Sequence, residues 1–129
     1  MYPLADVMTQ GVFAVEGGLR LREAATQMAE RGVGAAIVLD GERLVGILTE
    51  RDVLLAVASD RDKSATVEDC MTRHPETVEP SDTTDHAAAL MIHGGFRHLP
   101  VVEGDRVVGI VSIRDLMRVT LDDTLPRGA

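Results

Sequence analysis

The chain has 129 residues, of which 45% are hydrophobic and 26% charged, and its formal net charge is −8. Such an acid excess, with cations scattered, repels a phosphate backbone, and Tyr2, Phe13 and Phe96 are the whole aromatic set, so neither duplex binding nor stacking of single-stranded bases is expected. No apolar run is long enough to span a bilayer, the start MYPLADVMTQG has no signal-peptide pattern, and the lone cysteine, Cys70, suits a reducing compartment; the expectation is a cytoplasmic protein with no membrane segment.

The first predicted element is a short strand near Phe13–Val15. A helix follows, because Leu21, Ala24, Ala25, Met28 and Ala29 recur at i, i+3, i+4, i+7 and i+8 and make one apolar stripe. Gly32 ends it. The runs AAIVL and LVGIL, joined by DGER, read as a hairpin. A second helix is predicted over Glu50–Ala58. Residues 61–69 are polar and form a linker, with a helical turn at Val67–Met71.

From Met71 onward the same order returns. A strand is predicted at Thr77–Val78 and a helix whose stripe is Thr84, Ala87, Ala88, Met91 and Ile92, ending at Gly94-Gly95. The runs HLPVV and VVGIV, joined by EGDR, make a second hairpin, and a last helix covers Ile113–Leu121. Aligning Met8–Ala58 with Met71–Leu121 needs no gap and gives 16 identities in 51 positions, so the chain is an internal duplication. The organisation read from this is repeat 1 over 1–60, linker 61–69, repeat 2 over 70–123 and a C-terminal tail over 124–129. A single unit of this size buries too little surface to be stable. The expected fold class is therefore α+β: two β-α-β-β-α units related by a pseudo-two-fold axis, sheets packed together and helices outside, with related clefts where the copies meet.

The most regular feature is a doubled heptad, GILTERD at Gly46–Asp52 and GIVSIRD at Gly109–Asp115. A hydroxyl followed three residues later by an acid is a helix-start signature, so Thr49 with Asp52 and Ser112 with Asp115 can be caps. The same atoms can hold a nucleoside phosphate. A helix start offers free N–H groups to phosphate, and a carboxylate one turn later can accept from a ribose diol. Gly46 and Gly109 permit a bulge or a close backbone approach, whether of the chain or of a ligand.

The "VMT" and "CMT" starts, the doubled β-α-β-β-α unit, RHLPVVEGDRVVGIVS and the two G-h-h-[ST]-x-x-D heptads together resemble a tandem pair of cystathionine-β-synthase (CBS) domains, the Bateman module, from about Leu4 to Leu121. The resemblance implies a regulatory module that binds adenine nucleotides (AMP, ADP, ATP) or related adenosyl compounds and requires no cofactor. It also implies a homodimer, a disc of four repeats, and an effector protein of unknown identity. Each cleft would be built from both copies. One would use Ile110, Ser112, Arg114 and Asp115 facing Thr9, Phe13, Val33, Gly34 and Ala35. The other would use Ile47, Thr49, Arg51 and Asp52 facing Thr72, Thr77, Phe96, Arg97 and His98. Ile110 or Ile47 with Val33 or Phe96 would sandwich adenine. Arg97 and His98 can meet phosphates where Gly34 and Ala35 cannot, so unequal sites are expected.

Other readings carry less. His74, His86, His93 and His98 all lie in repeat 2 with Cys70 nearby, but none has a tight metal-ligand spacing; a zinc-binding protein using these histidines is the lesser alternative. Ser112, His98 and Asp115 are the residue types of a nucleophilic triad, yet repeat 1 uses Thr49 and Asp52 at the same positions without a histidine, so no enzyme is expected. A dimeric interaction module without ligand is the main alternative.

Overall fold

The computed structural model describes residues 2–124. The chain divides into two compact units. A central unit is Val12–Pro75; a split unit joins the chain start, through Gly11, to the chain from Glu76 onward.

In the central unit β1 (Ala14–Glu16) runs parallel to β2 (Ala35–Asp40), which pairs antiparallel with β3 (Arg43–Thr49), which pairs antiparallel with β4 (Thr72–Arg73). Asp40 faces Arg43 across a two-residue turn, in which Gly41 takes φ 64°; only glycine adopts that value without strain. Helix α1 (Leu21–Arg31) stops as predicted, with Gly32 left-handed and its N–H on the carbonyls of Ala29 and Met28. Its stripe of Leu21, Ala24 and Met28 packs with Ala36, Val38 and Leu48 of the sheet, Ala56 of α2 (Glu50–Ala58) and Val67 of the short α3 (Val67–Cys70). At α3 the Thr66 N–H donates to Asp69 Oδ2 at 2.9 Å; this backbone bond, and next the Thr66 hydroxyl, hold the Asp69 carboxyl below the usual carboxylate range.

The split unit repeats this plan with α4 (Thr84–Gly94), β5 (His98–Glu103), β6 (Arg106–Ser112) and α5 (Ile113–Thr124), the last running three residues past its predicted end. Leu99, Val101 and Val111 of the hairpin, Ala87 and Met91 of α4 and Leu116 of α5 form its core. The strand predicted at Thr77–Val78 shrinks to one parallel bridge, Val78 with Val101. Proline explains the difference. In the central unit the Ile37 N–H donates to the Phe13 carbonyl at 3.0 Å. The counterpart of Ile37 is Pro100, which has no N–H to donate. All but the first residue of the expected 124–129 tail lies outside the described residues.

Each unit also takes in a strap that the sequence assigns elsewhere, one to the start of repeat 1 and the other to the linker 61–69 and the start of repeat 2; Ala65 and Val67 of that linker are core residues of the central unit. In the split unit Leu4 opens a 3₁₀ turn, Leu4–Asp6, with its N–H on the Asp82 carbonyl at 2.8 Å, and Thr9 bridges to Ile110. In the central unit Val67 donates to the Leu19 carbonyl at 2.8 Å, and β4 pairs with β3 at Ile47 and Gly46. Leu4 and Val67 are each fully buried, which stabilises by about 1.5–3 kcal/mol apiece. Each strap is thus written at the start of one sequence copy and folds onto the hairpin of the other. The sequence repeat and the packing unit are offset by one strap.

The heptad glycines are what let the straps lie flat. A Cβ at Gly46 would stand 2.6 Å from Met71 Sδ and 2.9 Å from the Thr72 carbonyl oxygen; at Gly109 the same distances are 2.6 Å to Met8 Sδ and 3.0 Å to the Thr9 oxygen. The close approach allowed for in the sequence is made by the chain itself. Gly46→Ala should therefore cost about 1–3 kcal/mol in urea unfolding. Adding Met71→Ala should not restore the loss, because the backbone carbonyl stays in the way; recovery to the Met71→Ala level would show that only the flexible thioether was obstructed.

Candidate functional site

Both heptads are strand-to-helix junctions. The Thr49 N–H donates to Asp52 Oδ2 at 2.9 Å, and the Asp52 N–H donates back to Thr49 Oγ1 at 3.3 Å. At the second junction the Ser112 N–H donates to Asp115 Oδ2 at 2.8 Å and the Asp115 N–H to Ser112 Oγ at 3.2 Å. These reciprocal bonds satisfy donors that a helix start otherwise leaves orphaned.

The two carboxylates are used unevenly by their caps. Oδ2 closes each cap. Among the described residues Oδ1 of Asp52 meets only the Thr72 hydroxyl at 3.5 Å, and Oδ1 of Asp115 only the Arg118 guanidinium at 3.9 Å. Both acids are half-buried rather than sealed. Each junction therefore presents a carboxylate oxygen with spare accepting capacity one turn from a hydroxyl.

Within the central unit, register brings Ala35 opposite Thr49 and Thr72 opposite Ile47, while the Gly34 carbonyl takes the Glu50 N–H at 3.0 Å. Within the split unit His98 lies opposite Ser112, the Arg97 carbonyl takes the Ile113 N–H at 2.9 Å, and Thr9 and Ile110 exchange bonds of 2.9 and 3.0 Å. The strand-entry segments thus flank the cap of their own unit: Gly34-Ala35 beside Thr49, Arg97-His98 beside Ser112. Sequence reading did not include this grouping. Of the expected apolar lining, Ile47 is buried and Ile110 half-buried, Phe13 and Val33 pack against the central core and Phe96 against the split core. Arg51, Arg114, Thr9, Thr72 and Thr77 are exposed.

Two residues outside the expected site set also shape it. Met8 and Met71 fix the straps that carry Thr9 and Thr72, and the "MT" shared by both copies was their only signal. The histidines do not converge: among the described residues no group of three or more His, Cys, Asp or Glu is placed to hold a metal ion. Burial pushes the Cys70 thiol up from its ordinary value, which keeps it protonated and unreactive near neutrality. If the caps carry folding energy as drawn, Asp52→Ala and Asp115→Ala should each cost about 1 kcal/mol in chemical denaturation, and the double variant about their sum. A loss well below that for both would mean that the boxes are not formed in solution.

Comparison with known proteins agrees with this architecture. A family model for the CBS domain matches residues 4–59 and 67–122. An uncharacterized 17.7 kDa protein of Acidianus ambivalens is 42% identical over 122 residues, 92% of this chain and 73% of that one. The CBS domain pair of protein MJ0100, solved with 5′-methylthioadenosine and S-adenosyl-L-methionine, superimposes with a TM-score of 0.90 at 27% identity, over 96% of this chain and 99% of that one. A CBS domain protein of Pyrobaculum aerophilum, PAE2072, complexed with AMP, gives 0.85 at 30% identity over 95% and 97%. With two matched domains, the doubled β-α-β-β-α plan and a capped Ser/Thr-x-x-Asp junction in each unit, the chain belongs to the CBS-domain family.

Proposed function

We propose that this chain is a regulatory module that binds an adenine nucleotide, or a related adenosyl compound, and passes its bound state to a partner protein. The observation that carries the reading is the spare Oδ1 of Asp52 and of Asp115. A pure helix cap needs one oxygen; a ribose diol needs another acceptor beside it. Arg51 and Arg114 add support. Each sits in the first turn of a helix, where a cation opposes the helix dipole by about 0.3–1 kcal/mol, yet both copies carry it. An anionic ligand would offset that cost. The related pairs solved with AMP and with adenosyl compounds favour the same ligand class. Regulation follows if ligand binds one conformation better than another and the partner distinguishes them. No catalytic step is assigned to the chain.

The test is thermal melting with AMP, ADP, ATP and S-adenosylmethionine. At about 100 times its Kd a true ligand adds about 2.7 kcal/mol, several degrees for a domain of this size. Each variant is compared with its own ligand-free melt, so that the cap loss is not counted. Asp115→Ala should abolish the larger shift and Asp52→Ala the smaller. A chain that responds to none of the four compounds, or variants that respond as the parent does, would remove the ligand reading and leave the interaction module.

A second copy is proposed as the first partner. Leu54 and Val57 share a face of α2 and are 65% and 54% exposed; Met117 and Leu121 share a face of α5 and are 58% and 57% exposed. Faces this apolar are usually covered. Leu54→Glu combined with Met117→Glu should sediment as a monomer with an unchanged circular dichroism spectrum. A parent chain that is already monomeric at micromolar concentration would argue against the dimer.

A further inference from the structure

The two units place their aromatic and cationic groups differently at corresponding points. In the split unit α4 ends in Gly94, and a side chain there would collide with the ring of Phe96, two residues on. The central unit has Arg31 in place of Gly94 and Val33 in place of Phe96, and its aromatic comes from Phe13. The Arg31 guanidinium carbon lies 4.6 Å from the centroid of the Phe13 ring.

That geometry fixes the cation without consuming it. A guanidinium over a ring is attracted by the ring's face, and that contact uses up none of its five N–H donors as hydrogen bonds. Among the described residues Arg31 makes no ion pair, although Arg22, Arg43, Arg73 and Arg118 each do. Its position is also fixed relative to the cap. The Phe13 carbonyl holds the Ile37 N–H, and Ala35, two residues earlier on β2, faces Thr49. Phe13 therefore stands at the same end of the sheet as the Thr49–Asp52 junction, two strands away, about 10 Å by ordinary strand spacing.

We propose that Arg31, braced on Phe13, is the phosphate-recognising residue of the central unit and makes that unit select phosphorylated adenosyl ligands over uncharged ones. The inference rests on the ligand reading above and adds a specificity to it. The split unit draws on Arg97 at strand entry, whereas the central unit, with Gly34 and Ala35 there, draws on the end of its first helix. A fork that meets phosphate at its edge gives charge-assisted bonds. A ligand without phosphate gains nothing from it.

The experiment is an NMR titration of the full chain and of Arg31→Gln with AMP and with adenosine. The amides of Gly34, Thr49 and Asp52 are followed, so that binding at the split unit is not counted. Arg31→Gln should weaken AMP at these amides about tenfold or more and leave adenosine unchanged, and Arg31→Lys should fall between. Equal weakening of AMP and adenosine would overturn the inference, since Arg31 would then serve only to pack Phe13. So would unaltered binding of both. If neither compound shifts these amides in the parent chain, the ligand reading itself fails for this unit, and the inference with it.

Discussion

A methionine side chain and a threonine carbonyl lie against a glycine, twice in this chain, and most of the architecture depends on that contact. Without a side chain at Gly46 or Gly109, the strap can come within hydrogen-bonding distance of the hairpin's outer strand. Once there, it buries Leu4 or Val67 and sets Thr9 or Thr72 beside the junction that follows the glycine. The glycine that allows a tight backbone approach is therefore followed three residues later by a Thr or Ser hydroxyl and six residues later by a capped carboxylate. Local chemistry at one residue positions the rest.

The junction illustrates how one device serves folding and binding together. A helix start must satisfy its free N–H groups, and the Ser/Thr-x-x-Asp box does this with one carboxylate oxygen. The other oxygen takes no part in the cap and makes only long contacts among the described residues, to Thr72 at 3.5 Å or Arg118 at 3.9 Å, so it can be turned to a ligand at little loss to the fold. The cap also sets the orientation of that carboxylate, because Oδ2 is fixed by a bond of 2.9 Å at Asp52 and 2.8 Å at Asp115. A binding group held in this way needs little ordering when ligand arrives.

Much of this was legible in the sequence, because it is written in local pattern. The Gly32 stop, the hairpins and both caps follow from residue spacing and stand where spacing put them; of the helical stripes, Leu21, Ala24, Met28, Ala87 and Met91 are buried, while Ala29 and the 74% exposed Ile92 face away from the core. What was not legible is non-local. Nothing in MYPLADVMTQG says that Leu4 belongs with the second copy's hairpin and not its own, since the strap has the same sequence neighbours either way. Thr77–Val78 reads as a strand until Pro100 removes the N–H that would extend its pairing. Arg31 looks like an ordinary helix-ending cation until its ring partner is known. For the candidate site, the register that seats Gly34 by Thr49 and Arg97 by Ser112 could not be read from spacing, because it is set by strand pairing across the hairpins.

The offset between repeat and packing unit has a consequence for how the chain is made. The central unit is one continuous stretch and holds all its parts once Pro75 has been synthesised. The split unit is not; its strap is made before the central unit, and the hairpin it needs is made after it. Until that hairpin is made, Leu4, Val7 and Met8 are apolar side chains without their pocket. Closing the long loop costs entropy, a cost that grows only slowly with length, but the separation delays the event. The duplication thus imposes an order of assembly on two units of the same plan: the continuous unit can fold first, and the unit that it interrupts must wait for its second part.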